Sequence, residues 1–146
     1  DETGRLAEPY FADGYPLAQT ADGRWIRLTQ QDIRQFQMAK SAIYSGLEIL
    51  LAAAGLTEAD LKQVYLAGGF GCYLNPQKAA AAGIFGKELA QKTVVAGNTS
   101  LLGAVDFLTD EKGESRMQKI CTQAQEKVLA QTDAFQEAYI SNMNFK

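Results

Sequence analysis

Apolar and polar positions alternate along this chain in rhythms that change abruptly. Tyr15 to Thr20 and Trp25 to Thr29 read as two short strands, with Trp25, Ile26 and Leu28 suited to a half-covered sheet. Between them, Asp22-Gly23 tolerates the positive φ values that a tight hairpin demands. From Thr29 the period lengthens: Ile33, Phe36, Ile43, Leu47, Leu50, Leu51 and Ala54 recur at spacings of three and four, which predicts a long amphipathic helix. Thr29 with Asp32 three residues on forms a variant of the capping box at its start, and Gly55 supplies a left-handed stop.

Thr57 and Asp60 repeat the capping pattern over one short turn, after which Val64-Tyr65-Leu66-Ala67 reads as a buried strand broken by Gly68-Gly69-Phe70-Gly71. Asn75-Pro76 opens a helix whose small residues, Lys78 to Ala82, permit close packing before Gly83 ends it. A second buried strand, Thr93 to Ala96, stops at Gly97-Asn98. Helices are expected from about Thr99 through Leu108, from Glu114 to Lys127 and from Asp133 to Met143, while Asp1 to Asp13 is a polar lead-in without a period. The order is hairpin, long helix, strand, glycine-rich turn, helix, strand, helix, helix, an α/β layer architecture with crossover helices.

Composition narrows the chemistry. The 146 residues fit one ordinary domain, and 47% apolar residues can build a core. Fourteen basic residues against seventeen acidic ones leave a charge of −3, so no broad basic field is available for nucleic acid. Histidine is absent, which excludes imidazole bases, imidazole metal ligands and His-dependent nucleophiles from this chain. Cys72 and Cys121 form no Cys-x-x-Cys pair, so neither a zinc site nor an iron-sulfur cluster is expected, and no resident metal. The longest apolar stretch, Ala42 to Leu56, is interrupted by Ser45 and Glu48 and is too short for a bilayer, and the chain opens on Asp1 and Glu2 rather than a signal segment. The expected location is the cytoplasm, with reduced thiols.

Two strand ends carry the candidate chemistry. A hydrophobic strand ending in three glycines within four positions places bare backbone at the carboxyl edge of a sheet, where α/β folds bind ligands. The spacing of Gly68, Gly69, Phe70 and Gly71 matches neither the dinucleotide fingerprint nor the phosphate loop. A strand-to-helix turn that merely needs glycine is the bland alternative. Gly97 with Asn98, Thr99 and Ser100 repeats the arrangement: the polar side chains can cap the next helix or face a ligand in a crevice shared with the first turn. Gly103-Ala104, small residues inside a helix, suggests close approach by another helix.

Lys40 conflicts with its surroundings. At 100° per residue it falls near the centre of the stripe made by Phe36, Ile43, Leu47 and Leu51. It either snorkels to water or is a buried ammonium that pairs with a carboxylate or reaches a phosphate.

Three segments together carry a family resemblance: Leu28 to Ile33 with Gln37 to Ile43, Val64 to Gly71, and Ala96 to Ala104. The chain resembles the carboxy-terminal part of the corrinoid reductive activases, ATP-dependent iron-sulfur proteins that return an inactive corrinoid cofactor to cobalt(I). The resemblance implies one distal lobe, residues 1–146, of an actin-like (ribonuclease H-like) ATPase domain. In that superfamily Gly68, Gly69, Phe70 and Gly71, with Asn98 nearby, match the adenosine motif, and Gly103 and Ala104 match the connecting helix at the hinge. ATP with Mg²⁺ is then the implied ligand and a corrinoid protein the implied partner, with neither nucleic acid nor membrane engaged.

The Asp-Gly-Thr hairpins that hold phosphate and metal in that superfamily are not matched, since Asp13-Gly14 and Asp22-Gly23 lack the following pattern. The four-cysteine cluster domain is not matched either. The phosphate- and metal-holding hairpins and the iron-sulfur cluster are therefore expected upstream of this fragment, whose catalytic residues are unknown and which by itself is expected to fold but not to turn over ATP. Two other classes remain: a docking or homodimerisation module, and a lobe of a small-molecule kinase of the same fold.

Overall fold

The computed structural model describes residues 1–145. Strands β1 (Tyr15–Gln19) and β2 (Trp25–Leu28) form the expected antiparallel hairpin, Tyr15 opposite Leu28 and Gln19 opposite Trp25, with a bulge between Pro16 and Ala18. Only Gly23 in the turn takes a positive φ. Asp22 instead accepts hydrogen bonds from Thr20 Oγ1 and, at 2.7 Å, from Arg24 Nε. The lead-in contains one helical turn, α1 (Glu8–Phe11), too short to show a period.

Helix α2 (Gln30–Ala53) starts as its sequence dictates. Thr29 Oγ1 accepts from the Asp32 amide at 3.2 Å, and Asp32 accepts from the Thr29 amide at 2.8 Å. The Thr29 hydroxyl, donating to the Asp32 carboxylate at 2.7 Å, and then the Thr29 amide hold the exposed Asp32 carboxyl below the usual carboxylate range. The helix ends in a Schellman motif: Gly55 has φ +67°, and the amide of Leu56 reaches back to the Leu51 carbonyl at 2.9 Å. Asp60 then accepts from the amide and hydroxyl of Thr57 around a 3₁₀ turn, Glu58–Asp60.

Strand β3 (Val64–Ala67) runs into α3 (Gly68–Gly71), followed by α4 (Pro76–Ala81), α5 (Lys87–Lys92) and strand β4 (Thr93–Gly97). β3 and β4 are parallel, so α3 to α5 form the crossover that parallel pairing requires. Helix α5 went unpredicted; it follows Gly86 and buries Leu89 and Ala90. Helices α6 (Thr99–Thr109), α7 (Gly113–Gln123) and α8 (Asp133–Ser141) close the chain, the last two shorter at their C-terminal ends than the pattern suggested.

The apolar core sits between α4 and α5: Ala79, Ala80, Ile84, Phe85, Leu89 and Ala90, flanked by Leu47, Leu61, Val64, Leu66 and Leu74. The small side chains of α4 let α5 approach closely, as the alanine run implied.

Three burial expectations are corrected. The strands read as buried are half open, with Tyr65, Val94 and Val95 exposed, because two parallel strands alone cannot cover both of their faces. The predicted apolar stripe of α2 is not the buried one: Phe36, Ile43 and Leu50 are exposed, while Gln37, Lys40, Ser41 and Ser45 are buried. On the helical wheel Gln37, Ser41 and Ser45 are turned by roughly a third of a circle from the apolar stripe, within which Lys40 sits. Finally, α6 buries no residue, and nothing among the described residues lies within 4 Å of where a Gly103 Cβ would sit.

Candidate functional site

Pairing of β3 with β4 brings the two glycine-terminated strand ends side by side, Ala67 opposite Gly97. Gly68 follows at φ +88° and Gly97 takes φ +75°, backbone that L side chains rarely adopt. A Cβ added at Gly68, Gly69 or Gly97 would meet nothing within 4 Å, so this edge presents open main chain on both strands.

The four residues of the motif are not equivalent. Residues 68–71 form one helical turn closed by the Cys72 amide on the Gly68 carbonyl at 3.0 Å. Gly71 is buried, and a Cβ there would lie 3.3 Å from the Leu66 carbonyl carbon. It is glycine so that α3 can fold back on β3. Gly68 and Gly69 carry no such packing duty. Phe70 is 74% exposed and Tyr73, two residues past the turn, 94% exposed, so two aromatic side chains close in sequence to the bare backbone are open at the surface.

Asn98 stands at the neighbouring strand end and caps α6, its Oδ1 accepting from the Leu101 amide at 3.2 Å. Its side chain is exposed, and it therefore closes the helix entrance beside Gly97 while remaining at the surface of the shared edge.

Lys40 lies elsewhere. It is 4% exposed and does not snorkel. Its Nζ donates to the carbonyls of Asn142 at 2.7 Å and Asn144 at 2.8 Å and stands 5.3 Å from the centroid of the Phe145 ring. A cavity of about 200 Å³ adjoins it, bounded by Lys40, Tyr44, Gly83, Gly86, Asn142 and Asn144. The residues of the glycine edge do not line this cavity, so the structure separates Lys40 from Gly68–Gly71 and Asn98.

Lys40 belongs to a polar seam that the sequence reading missed. Gln37 Nε2 donates to the Thr3 and Met143 carbonyls, both at 3.0 Å, and Ser41 Oγ donates to the Tyr139 carbonyl. Asn142 Nδ2 donates to Ser45 Oγ at 3.1 Å and to Glu48 at 2.7 Å. The available signal was Gln37, Ser41 and Ser45 at successive spacings of four, a narrow line of small or neutral polar residues beside Lys40.

One further cluster sits at the far end of α2. Burial, then the carboxylates of Glu88 and Glu48, push the Glu58 carboxyl above its ordinary range, although Lys92 and the Gly86 amide act against them. Burial and the same Glu58 and Glu48 charges raise the Tyr44 phenol. Lys92 Nζ ties this corner together, donating to the Glu58 carbonyl at 2.9 Å and to the Glu88 carboxylate at 2.9 Å. Among the described residues, no three His, Cys, Asp or Glu side chains gather as a metal site, and both cysteines are free thiols. No described helix is long and apolar enough to cross a membrane.

Residues 12–146 match the family described as the C-terminal domain of RACo, the ASKHA domain. The chain is 30% identical over 127 residues to the corrinoid activation enzyme RamQ of Eubacterium limosum, covering 87% of this chain and 21% of that protein. It is 25% identical over 125 residues to a reductase of Methanosarcina barkeri named for a Co(II) methylated amine-specific corrinoid protein, covering 84% of this chain and 23% of the relative. A solved structure, a reductive activator for corrinoid, iron-sulfur protein, superposes with a TM-score of 0.86 at 27% identity over 99% of this chain and 25% of its own. The chain thus spans about a fifth to a quarter of the length of these relatives.

Proposed function

The chain belongs to the family of RACo C-terminal ASKHA domains, and from that membership we propose that it is the nucleotide-binding lobe of a longer, ATP-dependent activator that reduces the corrinoid of a methyl-transfer protein to cobalt(I). The observation that carries this reading is the open backbone at the paired ends of β3 and β4. Gly68 and Gly69 leave room for a flat base to lie against the main chain, and Gly97 keeps the neighbouring strand end equally clear.

In this reading Gly68, Gly69, Phe70 and Asn98 contact adenosine. Gly71 contributes by letting α3 fold onto β3, which aims the two preceding glycines outward. Bound ATP, with Mg²⁺ held by residues outside this chain, supplies the free energy that makes an unfavourable reduction accessible. The domain's own contribution is binding and orientation: contacts to the base position the nucleotide, but by themselves they do not stabilise charge developing at the γ-phosphate. The electron comes from an iron-sulfur cluster elsewhere in the longer polypeptide. The partner is a corrinoid protein and the location the cytoplasm, with Gly103 and Ala104 on the helix that hinges this lobe against the rest.

A docking or homodimer role is the second reading. It is favoured by the hairpin, where Tyr15, Leu17, Trp25 and Ile26 are all exposed. Titration of the longer activator with ATP and Mg²⁺ separates the two. Saturable binding weakened by Gly69→Val supports the nucleotide site, and unchanged affinity in a folded variant removes it. Restoration of cobalt(I) absorbance in a corrinoid protein then tests the activator assignment separately.

A further inference from the structure

The faces of α2 divide its contacts by chemistry. Toward α4 and α5 it offers Leu47 to an apolar core, whereas toward α8 and the residues after it the buried side chains are Gln37, Lys40, Ser41 and Ser45. Nearly all their acceptors are main-chain carbonyls of one short stretch: Tyr139, Asn142, Met143 and Asn144. Helix α8 buries no residue of its own. It is reached from α7 through residues 124–132, which are not helical.

We propose that residues 133–145 form a strap that detaches from α2 as a unit while the α4–α5 core stays folded, with Lys40 as the residue that holds it seated. The physical basis is the difference between the two kinds of contact. A carbonyl that leaves Lys40 or Gln37 is taken up by water with a small net loss, because a hydrogen bond to solvent replaces one to protein. Ala79, Leu89 and Phe85 have no such substitute, since exposing them forfeits burial outright. Opening free energies within one protein follow this division, so the seam held mainly by hydrogen bonds, with Phe145 against Phe36 and Phe135 near Gly46 as its aromatic contacts, opens first.

The strap is also a wall. Asn142 and Asn144 line the cavity of about 200 Å³ beside Lys40, together with Gly83 and Gly86. Detachment therefore uncovers both that cavity and the Lys40 ammonium. Two aromatic contacts, Phe36 against Phe145 with ring centroids 6.2 Å apart and Lys40 over Phe145, let the strap reseat in one register.

Thiol labelling in the longer activator tests this. Ser45 is fully buried beneath the strap, and Ala79 is 2% exposed within the core. Ser45→Cys and Ala79→Cys are labelled separately with a maleimide and read by mass at the modified peptide, which keeps Cys72 and Cys121 out of the count. The strap predicts that the thiol at 45 reacts at least about 10-fold faster than that at 79. Adding Lys40→Met is expected to speed labelling at 45 by a further factor of about 10 and to leave 79 unchanged. Equal rates at 45 and 79 overturn the proposal, as does an equal acceleration of both by Lys40→Met. Should the doubly substituted proteins fail to fold, the comparison of the two single variants decides by itself.

Discussion

Lys40 donates its ammonium to the carbonyl of Asn142 at 2.7 Å, joining positions 102 residues apart. The bond fixes the exit of α8 against the middle of α2, and it explains how a lysine can occupy a helix face that is otherwise closed to water.

Lys40→Met is therefore expected to destabilise the longer protein by about 1–2 kcal/mol in chemical denaturation. The loss stays modest because carbonyls released by the strap rehydrate. A stability equal to the parent's would show that these bonds do not hold the strap seated.

Gly69 and Gly71 are expected to respond oppositely. Gly69→Val points into open space and should change thermal stability little, but it should weaken nucleotide binding by about 10-fold, or 1.4 kcal/mol. Gly71→Ala meets the Leu66 backbone and should cost about 1–3 kcal/mol of stability. Calorimetric titration and thermal melts of the two variants check both halves; a Gly71→Ala protein as stable as the parent would mean that α3 is free to move.

Leu89 is 1% exposed at the centre of the α4–α5 core. Leu89→Ala should cost about 2–5 kcal/mol by urea denaturation, the usual loss for a cavity that neighbours cannot refill.

Glu58 sets a pH dependence. Its carboxyl is raised in the folded protein above the ordinary 4.5, so the native state holds a proton that the unfolded chain has already lost. Between 4.5 and the raised value, stability falls as pH rises, and the protein carries the full penalty of the ionised form above that window. Glu58→Gln removes the charge and keeps an oxygen to accept the Gly86 amide. Its melting temperature should exceed the parent's at neutral pH, with the difference shrinking as pH falls through that window to 4.5. A constant difference across that range would assign the effect to packing.

Sequence by itself determined the punctuation of this protein. The Thr29 cap, the Gly55 stop, the Asn75 and Asn98 caps, the hairpin turn at Gly23 and the glycine ends of β3 and β4 all form where the residues place them. Each depends on a few neighbouring dihedrals and one or two local hydrogen bonds, which a short window of residues specifies. Tertiary structure decided which faces are covered. The apolar stripe of α2 pointed to one side, yet burial went to Lys40 within it and to Gln37, Ser41 and Ser45 on its flank, because most of the groups that satisfy them arrive from positions 139–144. It also separated Gly71 from Gly68 and Gly69, which a string of glycines cannot do: only the fold of α3 onto β3 shows which one sits against backbone and which two are left open. A residue's own chemistry sets its conformational preferences, but burial is a property of a pair, and the second member here lies about a hundred residues away.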